Sequence, residues 1–347
     1  ALARRAHVRY VLAADVSEAG EDVVVTARLI DGVTGKELGG ERRAIGRAHQ
    51  RDDRSLLVSR VTGAARVLFQ TAEGHRVAAD PAAATDPRSL VTRADLIFSG
   101  PGRPASLATE RDAMLAARKL YEEARERDAT LVAAWTGHMF TLNWEYWNDF
   151  ASGRNDAVIA EMDRDSRRAI ALDERDPTAW YARAAALATQ WQWAAAFEAS
   201  DRAIELDPTR SRFRLHRSFL YYMSGRPLEA LEEIGRSLSR DDADGEYLLY
   251  ACHSHLHLGE FQEALQKCRR AVAGHNTYWV HLDLAVAYAQ TGDLARARDA
   301  GSELMRRVPD FTIARFEAKR FSDNPVWAEQ VRARFIPGLR AAGVPDG

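Results

Sequence analysis

Cysteine is nearly absent from this chain of 347 residues: two occur, too few for a disulfide framework or a structural zinc site. No run of 18 apolar residues exists, so no stretch reads as a transmembrane helix. A charge excess is missing too. The formal net charge is −2, with 13 Lys and Arg against 11 Asp and Glu in residues 1–80 and 35 against 39 in the rest. Nothing supplies the basic surplus of a nucleic-acid binder, and no nucleic acid is expected as a partner. No Gly-rich phosphate loop, G-x-S-x-G or H-E-x-x-H occurs. The chain therefore reads as non-catalytic, with no cofactor and no metal expected. What remains, 46% hydrophobic and 28% charged, is an ordinary globular composition.

What is present is a repeat. Ala196, Ala230, Ala264 and Ala297 fall 34, 34 and 33 residues apart, and Gly225, Gly259 and Gly292 each precede one of them by five. Tyr221 and Tyr288 sit nine before theirs, Trp180 sixteen before Ala196, and Pro208 and Pro309 follow theirs by twelve. This is the tetratricopeptide (TPR) pattern, a helix–turn–helix of about 34 residues. Two helices joined by a short turn approach closely, so small side chains are needed where they meet. Ala184, Ser218, Cys252 and Ala285 should face the four alanines. No hairpin buries its apolar face alone, so the copies should stack into a solenoid with a concave groove.

The fold expected is mainly α: about six repeats and a capping helix over residues 88–347. Trp135 to Trp180 is 45 residues, an insertion of about 11 beyond the usual 34, placed at Trp147–Asp156. Ahead of the repeats, residues 1–78 read as a small, truncated α+β unit, with 79–87 an Ala/Pro linker. Strands are predicted over Val8–Val16 and Asp22–Ile30, with a weak third from Lys36 to Arg43. A helix follows through Leu57, Val61 and Leu68.

The segment VRYVLAADVSEAGEDVVVTARLIDGVTGKELGG resembles the TolB-like domain of bacterial signalling proteins. Ala14 and Asp15 stand where that family has glycine and serine, and Gly39 where it usually has tryptophan. The family's opening strand and helix would precede Ala1. The C-terminal FTIARFEA, SDNP and GLRAAGVPDG resemble a bacterial group in which a class III nucleotide cyclase or a winged-helix DNA-binding domain precedes TolB-like and TPR regions. The resemblance implies a sensory or docking module regulating a cyclase; the alternatives are the regulatory end of a winged-helix transcription regulator, or a free-standing TPR scaffold. It implies a cytoplasmic location, or a periplasmic one should a membrane span precede Ala1. A cyclase site needs paired metal-binding aspartates, and Asp15 and Asp31 read instead as strand-end turn residues.

The candidate site is the groove, lined by the first helix of each hairpin. Its expected residues are Phe140, Trp144, Tyr181, Arg212 and Phe219, followed by Tyr222, Met223, Tyr250, His253 and His257. Such a wall suits a protein or peptide segment, with Arg212 as its one strong charge. The competing expectation is that the tail or the TolB-like unit covers it. A carboxylate clamp for C-terminal tails needs Lys and Asn at repeat positions held here by residues such as Leu215 and Phe219, so that recognition is excluded. His253 and His257, four apart, share a helix face, but no acidic or cysteine partner is evident and they read as groove histidines. Cys252 and Cys268 read as unpaired core residues, their Cα atoms near or beyond the ~7 Å disulfide limit.

Overall fold

The computed structural model describes residues 8–20, 22–46, 54–79, 86–99, 107–149, 155–237 and 245–347. Its first element is a three-stranded antiparallel sheet in chain order: β1 (Tyr10–Ala19), β2 (Asp22–Asp31) and β3 (Glu37–Gly46). The period-two pattern of β2 is met because helix α1 (Arg54–Ala79) packs across β2 and β3, burying Val25, Ala27 and Leu29. β1 stays at the edge, with Leu12 and Val16 exposed. Its Tyr10 ring reaches α1, edge-on to Phe69 at 5.4 Å. The third strand runs three residues further than its sequence suggests. Asp15 lies inside β1 rather than at its end and pairs with Arg28 at 2.5 Å. Asp31 is a turn residue, its carboxylate accepting from the Val33 and Thr34 N–H groups.

Among the described residues six helical hairpins follow. They pair α2 (Pro87–Ser99) with α3 (Leu107–Arg127), α4 (Val132–Asn148) with α5 (Asp156–Leu172), and α6 (Pro177–Thr189) with α7 (Trp193–Leu206). Then come α8 (Ser211–Met223) with α9 (Pro227–Ser237), α10 (Gly245–Leu258) with α11 (Phe261–Gly274), and α12 (Tyr278–Gln290) with α13 (Leu294–Arg307). The result is a mainly α, TPR-like helical solenoid behind a small sheet. Most of the expected linker, and residues 150–154 of the expected insertion, fall outside the described residues.

Local chemistry sets the starts and contacts. Asp176 caps α6 by accepting from the Thr178 and Ala179 N–H groups, with Pro177 opening the helix. All eight small residues expected at the hairpin contacts, from Ala184 opposite Ala196 to Ala285 opposite Ala297, have 0% exposure. Gly225 takes the left-handed turn at φ 78°, where a Cβ would also stand 2.6 Å from Asn324 Oδ1. The equivalent turn in the third repeat is made by Trp191 at φ 61°, its ring held under the Arg320 guanidinium at 5.4 Å. A non-glycine residue there costs about 1–2 kcal/mol and persists only where its surroundings hold it.

The insertion in the second repeat is partly helical. α4 and α5 have 17 residues each, against 13 and 14 in α6 and α7. Four extra residues extend α4 by about 6 Å, carrying Trp147 and Asn148 toward α12.

The tail is a lid in pieces: α14 (Ile313–Ala318), a break, α15 (Pro325–Gln330), a π-helical turn (Val331–Phe335) and α16 (Ile336–Ala341). Asn324 caps α15 through the Val326 and Trp327 N–H groups. The cysteines depart from expectation. Cys252 on α10 and Cys268 on α11 form a disulfide with Cα atoms 5.4 Å apart, since the alanine-lined contact draws these helices closer than the spacing implied.

An aromatic cavity inside the solenoid

The first helices of the hairpins curve round a cavity of about 1370 Å³. Phe140, Trp144, Tyr181, Arg212, Phe219, Tyr222, Met223, Tyr250, His253 and His257 all stand on its wall. Their rings form a chain. Phe140 meets Tyr181 at 4.8 Å, Tyr181 meets His216 at 5.0 Å, and His216 stacks on Phe219 at 5.7 Å. From Phe219 the chain passes to Tyr222 at 5.3 Å and on to His253 at 5.3 Å.

The groove is not an open trough. Phe335 packs its ring 4.8 Å from that of His257, with Trp327 at 5.8 Å, and Gln330 Oε1 lies 2.9 Å from His257 Nδ1. Under this lid Tyr222, Met223 and His257 are only 5%, 3% and 1% exposed. These three are packed wall, not free surface. At the other end α1 contributes Arg66, Phe69 and Glu73 to the lining. The tail and α1 thus both border the cavity.

The extended α4 completes the enclosure. Tyr278 Oη donates to Asn148 Oδ1 at 2.6 Å, and Trp279 Nε1 to the same atom at 3.3 Å. Trp147 stacks on Phe321 of the tail at 5.7 Å. Lys319, 0% exposed, sends its ammonium to the Asp149 carbonyl at 2.6 Å, at the C-terminal end of α4 where the helix dipole favours a cation. Burial still lowers its pKa to about 8. No hairpin-level pattern announces these contacts; the surplus length before Asp149 is the signal that could have found them.

The charge of Arg212 is paired. Arg212 makes a two-pronged bond to Glu246 at 3.1 and 3.2 Å, so it is not the lone charge expected from the sequence. Glu246's charge, ahead of the opposing effect of burial, raises the guanidinium pKa. Burial, then the charge of Arg212, holds His216 down to about 3, so that ring is neutral near pH 7. His257 is also lowered to about 3, by burial and then by His253. Tyr181 and Tyr250 are raised by burial and stay phenols.

The acidic partner that the sequence did not reveal for His253 is present. Asp283 of α12 lies 2.5 Å from His253 Nδ1 and 3.9 Å from Cys268 Sγ. The spacing of α10 alone hides it, because Asp283 comes from the next repeat.

No helix among the described residues is long and apolar enough to cross a membrane. No family model matches the chain, and no curated protein does. Solved structures do. A monomeric mutant of IFIT1 with m7Gppp-AAAA is 14% identical, covering 74% of this chain and 61% of its own, at a TM-score of 0.56. The human IFIT1 dimer with m7Gppp-AAAA is 15% identical, covering 74% and 59%, at 0.55. YrrB, a TPR protein with an unusual peptide-binding site, is 16% identical over 58% of this chain and 97% of its own, at 0.34. This chain spans about three fifths of the IFIT1 length, 61% at most. The likeness to IFIT1 is one of fold.

Proposed function

We propose that this chain is a non-catalytic interaction module that seats a segment of a partner protein in the aromatic cavity. The observation that carries the reading is the convergence of ten residues from four first helices on one concave wall. Large rings beside the Arg212–Glu246 pair suit an amphipathic segment, whose apolar side chains fill pockets while a carboxylate competes for Arg212. The module is the regulatory part of a bacterial signalling protein whose effector is a class III nucleotide cyclase. The TolB-like hairpin and the tail motifs support that parentage, and the reading frame upstream of Ala1 tests it. A winged-helix domain encoded there would transfer the module to a transcription regulator, and no effector at all would make it a free-standing scaffold.

Peptides displayed on phage and selected on the whole chain test the docking. Tyr181→Ala with Arg212→Ala should weaken capture roughly thirtyfold, the ~2 kcal/mol of a hot spot. Ligand should also quench the wall tryptophans Trp144, Trp147 and Trp279. Selected peptides that bind the double variant as tightly as the parent would refute the cavity as the docking site.

A further inference from the structure

The cavity wall carries a carboxylate that its own cations do not serve. Asp95 of α2 lines the cavity in the first hairpin and is half-buried. Tyr121 of α3 donates its Oη to Asp95 Oδ1 at 2.6 Å. Gly137 of α4 makes room for that ring, since a Cβ there would stand 2.2 Å from Tyr121 Cε1. The phenol is one neutral donor to a group that can accept several hydrogen bonds. Burial pushes the carboxyl up to about 6, against the lowering by Tyr121, so near pH 7 it is chiefly ionised. The arginines of the wall are committed elsewhere. Arg66 stands 3.8 Å and Arg210 3.7 Å from Asp207, and Arg212 stands 3.1 Å from Glu246. Among the described residues no cation offsets the charge of Asp95. The other acid at this end, Glu73, has Arg76 at 2.8 Å. A half-buried carboxylate with no cation is costly. Phe98, one turn along α2, and Phe140 of α4 line the same cavity, and ring faces attract cations.

We propose that Asp95 receives a lysine or arginine side chain of the segment that docks in the cavity. This rests on the docking reading above and adds the chemistry of the guest. The guest then carries a basic residue for Asp95 on α2 and an acidic one for Arg212 on α8. These are anchors of opposite sign on different hairpins. A reversed segment would set like charges against each other, so the two anchors fix its direction along the groove. The competing role for Asp95 is structural, accepting from Tyr121 and nothing more, and it makes no demand on the guest.

Two phage peptide libraries selected on the whole chain separate these roles, one unrestricted and one without lysine, arginine and histidine. The unrestricted library should return peptides that share a basic residue. Replacing that residue with norleucine should weaken binding to the unaltered chain about tenfold. Asp95→Asn keeps an oxygen for Tyr121 and removes only the charge. It should weaken the basic peptides about tenfold and leave their norleucine forms unchanged, a coupling that a structural role would not produce. The melting temperature reports folding of the variant, and the norleucine comparison on the unaltered chain does not depend on it. Basic-free peptides that bind as tightly as the others would overturn the assignment of Asp95, while Tyr181 and Arg212 still governed docking. So would an Asp95→Asn variant that treats basic and norleucine forms alike. Binders from neither library would overturn the docking reading and this assignment together.

Discussion

The two ends of the cavity wall are both built from first helices of the hairpins and behave differently. Phe140, Tyr181 and Arg212, on α4, α6 and α8, keep part of their surface open to the cavity, and the Arg212 side chain is 55% exposed. His257, at the α10 end of the same inner wall, is sealed at 1% beneath Phe335 and Trp327. What separates the two ends is the tail: Trp327 and Phe335 lie over the inner wall at the α10 end, while the tail meets the earlier hairpins at Trp147, Asp149 and Trp191. A groove position in a solenoid is therefore a surface only where no later segment returns to it.

The sharpest way to break this comparison is to remove a ring at each end. Phe335→Ala empties a site that is 2% exposed, and should cost about 3–5 kcal/mol in urea denaturation. Phe140→Ala, half-buried, should cost about half as much, in proportion to the area lost from water. Equal losses would mean that the two ends are equally core.

Acid should find the sealed end next. An unfolded chain takes up a proton at 6.5 that folded His257 refuses until about 3. Stability from this ring is complete above 6.5 and falls as the pH drops toward 3, by about 1.4 kcal/mol per pH unit. His216, lowered to about 3 as well, acts in the same direction. Asp95, raised by burial to about 6 from 3.8, opposes them between those values. His257→Gln should flatten the dependence of the denaturation midpoint on pH by about one proton, and an unchanged slope would show that this ring is not shielded.

A smaller effect separates hairpin interior from outer surface. Ala264 meets Cys252 with no exposed area on either residue, so Ala264→Leu should overpack the contact by about 1–3 kcal/mol. Gln266→Leu, on the exposed side of the same helix, should stay within about 0.5 kcal/mol. Identical midpoints would displace the hairpin register. Smallest of all, Arg212→Ala should change stability by about 1 kcal/mol or less, since its pair with Glu246 is solvated. A larger loss would place the open end of the wall in the core after all.

Periodicity determined much of this protein by itself. The 34-residue spacing of alanine and glycine is a statement about how close two helices pack and where a chain turns, and both are local demands. They can be read from Ala196, Ala264 and Gly225 before any coordinate exists. The alternation of Val25, Ala27 and Leu29 is of the same kind: a strand with one covered face. Which wall residues share a cavity was legible too, because first helices in a stack all turn the same face inward.

What the tertiary structure decided are the contacts between residues far apart in the chain. Asn148 meeting Tyr278 spans 130 residues, and Lys319 meeting the Asp149 carbonyl spans 170. No pairwise pattern encodes them; they follow from the curvature summed over six hairpins and from one additional helical turn in α4. Trp191 in a left-handed turn is decided the same way, by an arginine arriving from the tail. So is the pairing of Arg212 with Glu246, and so is the meeting of Cys252, Cys268 and His253 with Asp283. Local spacing fixes how each hairpin forms, because its forces act within a few residues. Burial, pairing and the closing of the cavity depend on where the whole stack returns on itself, and that is a property of the complete fold.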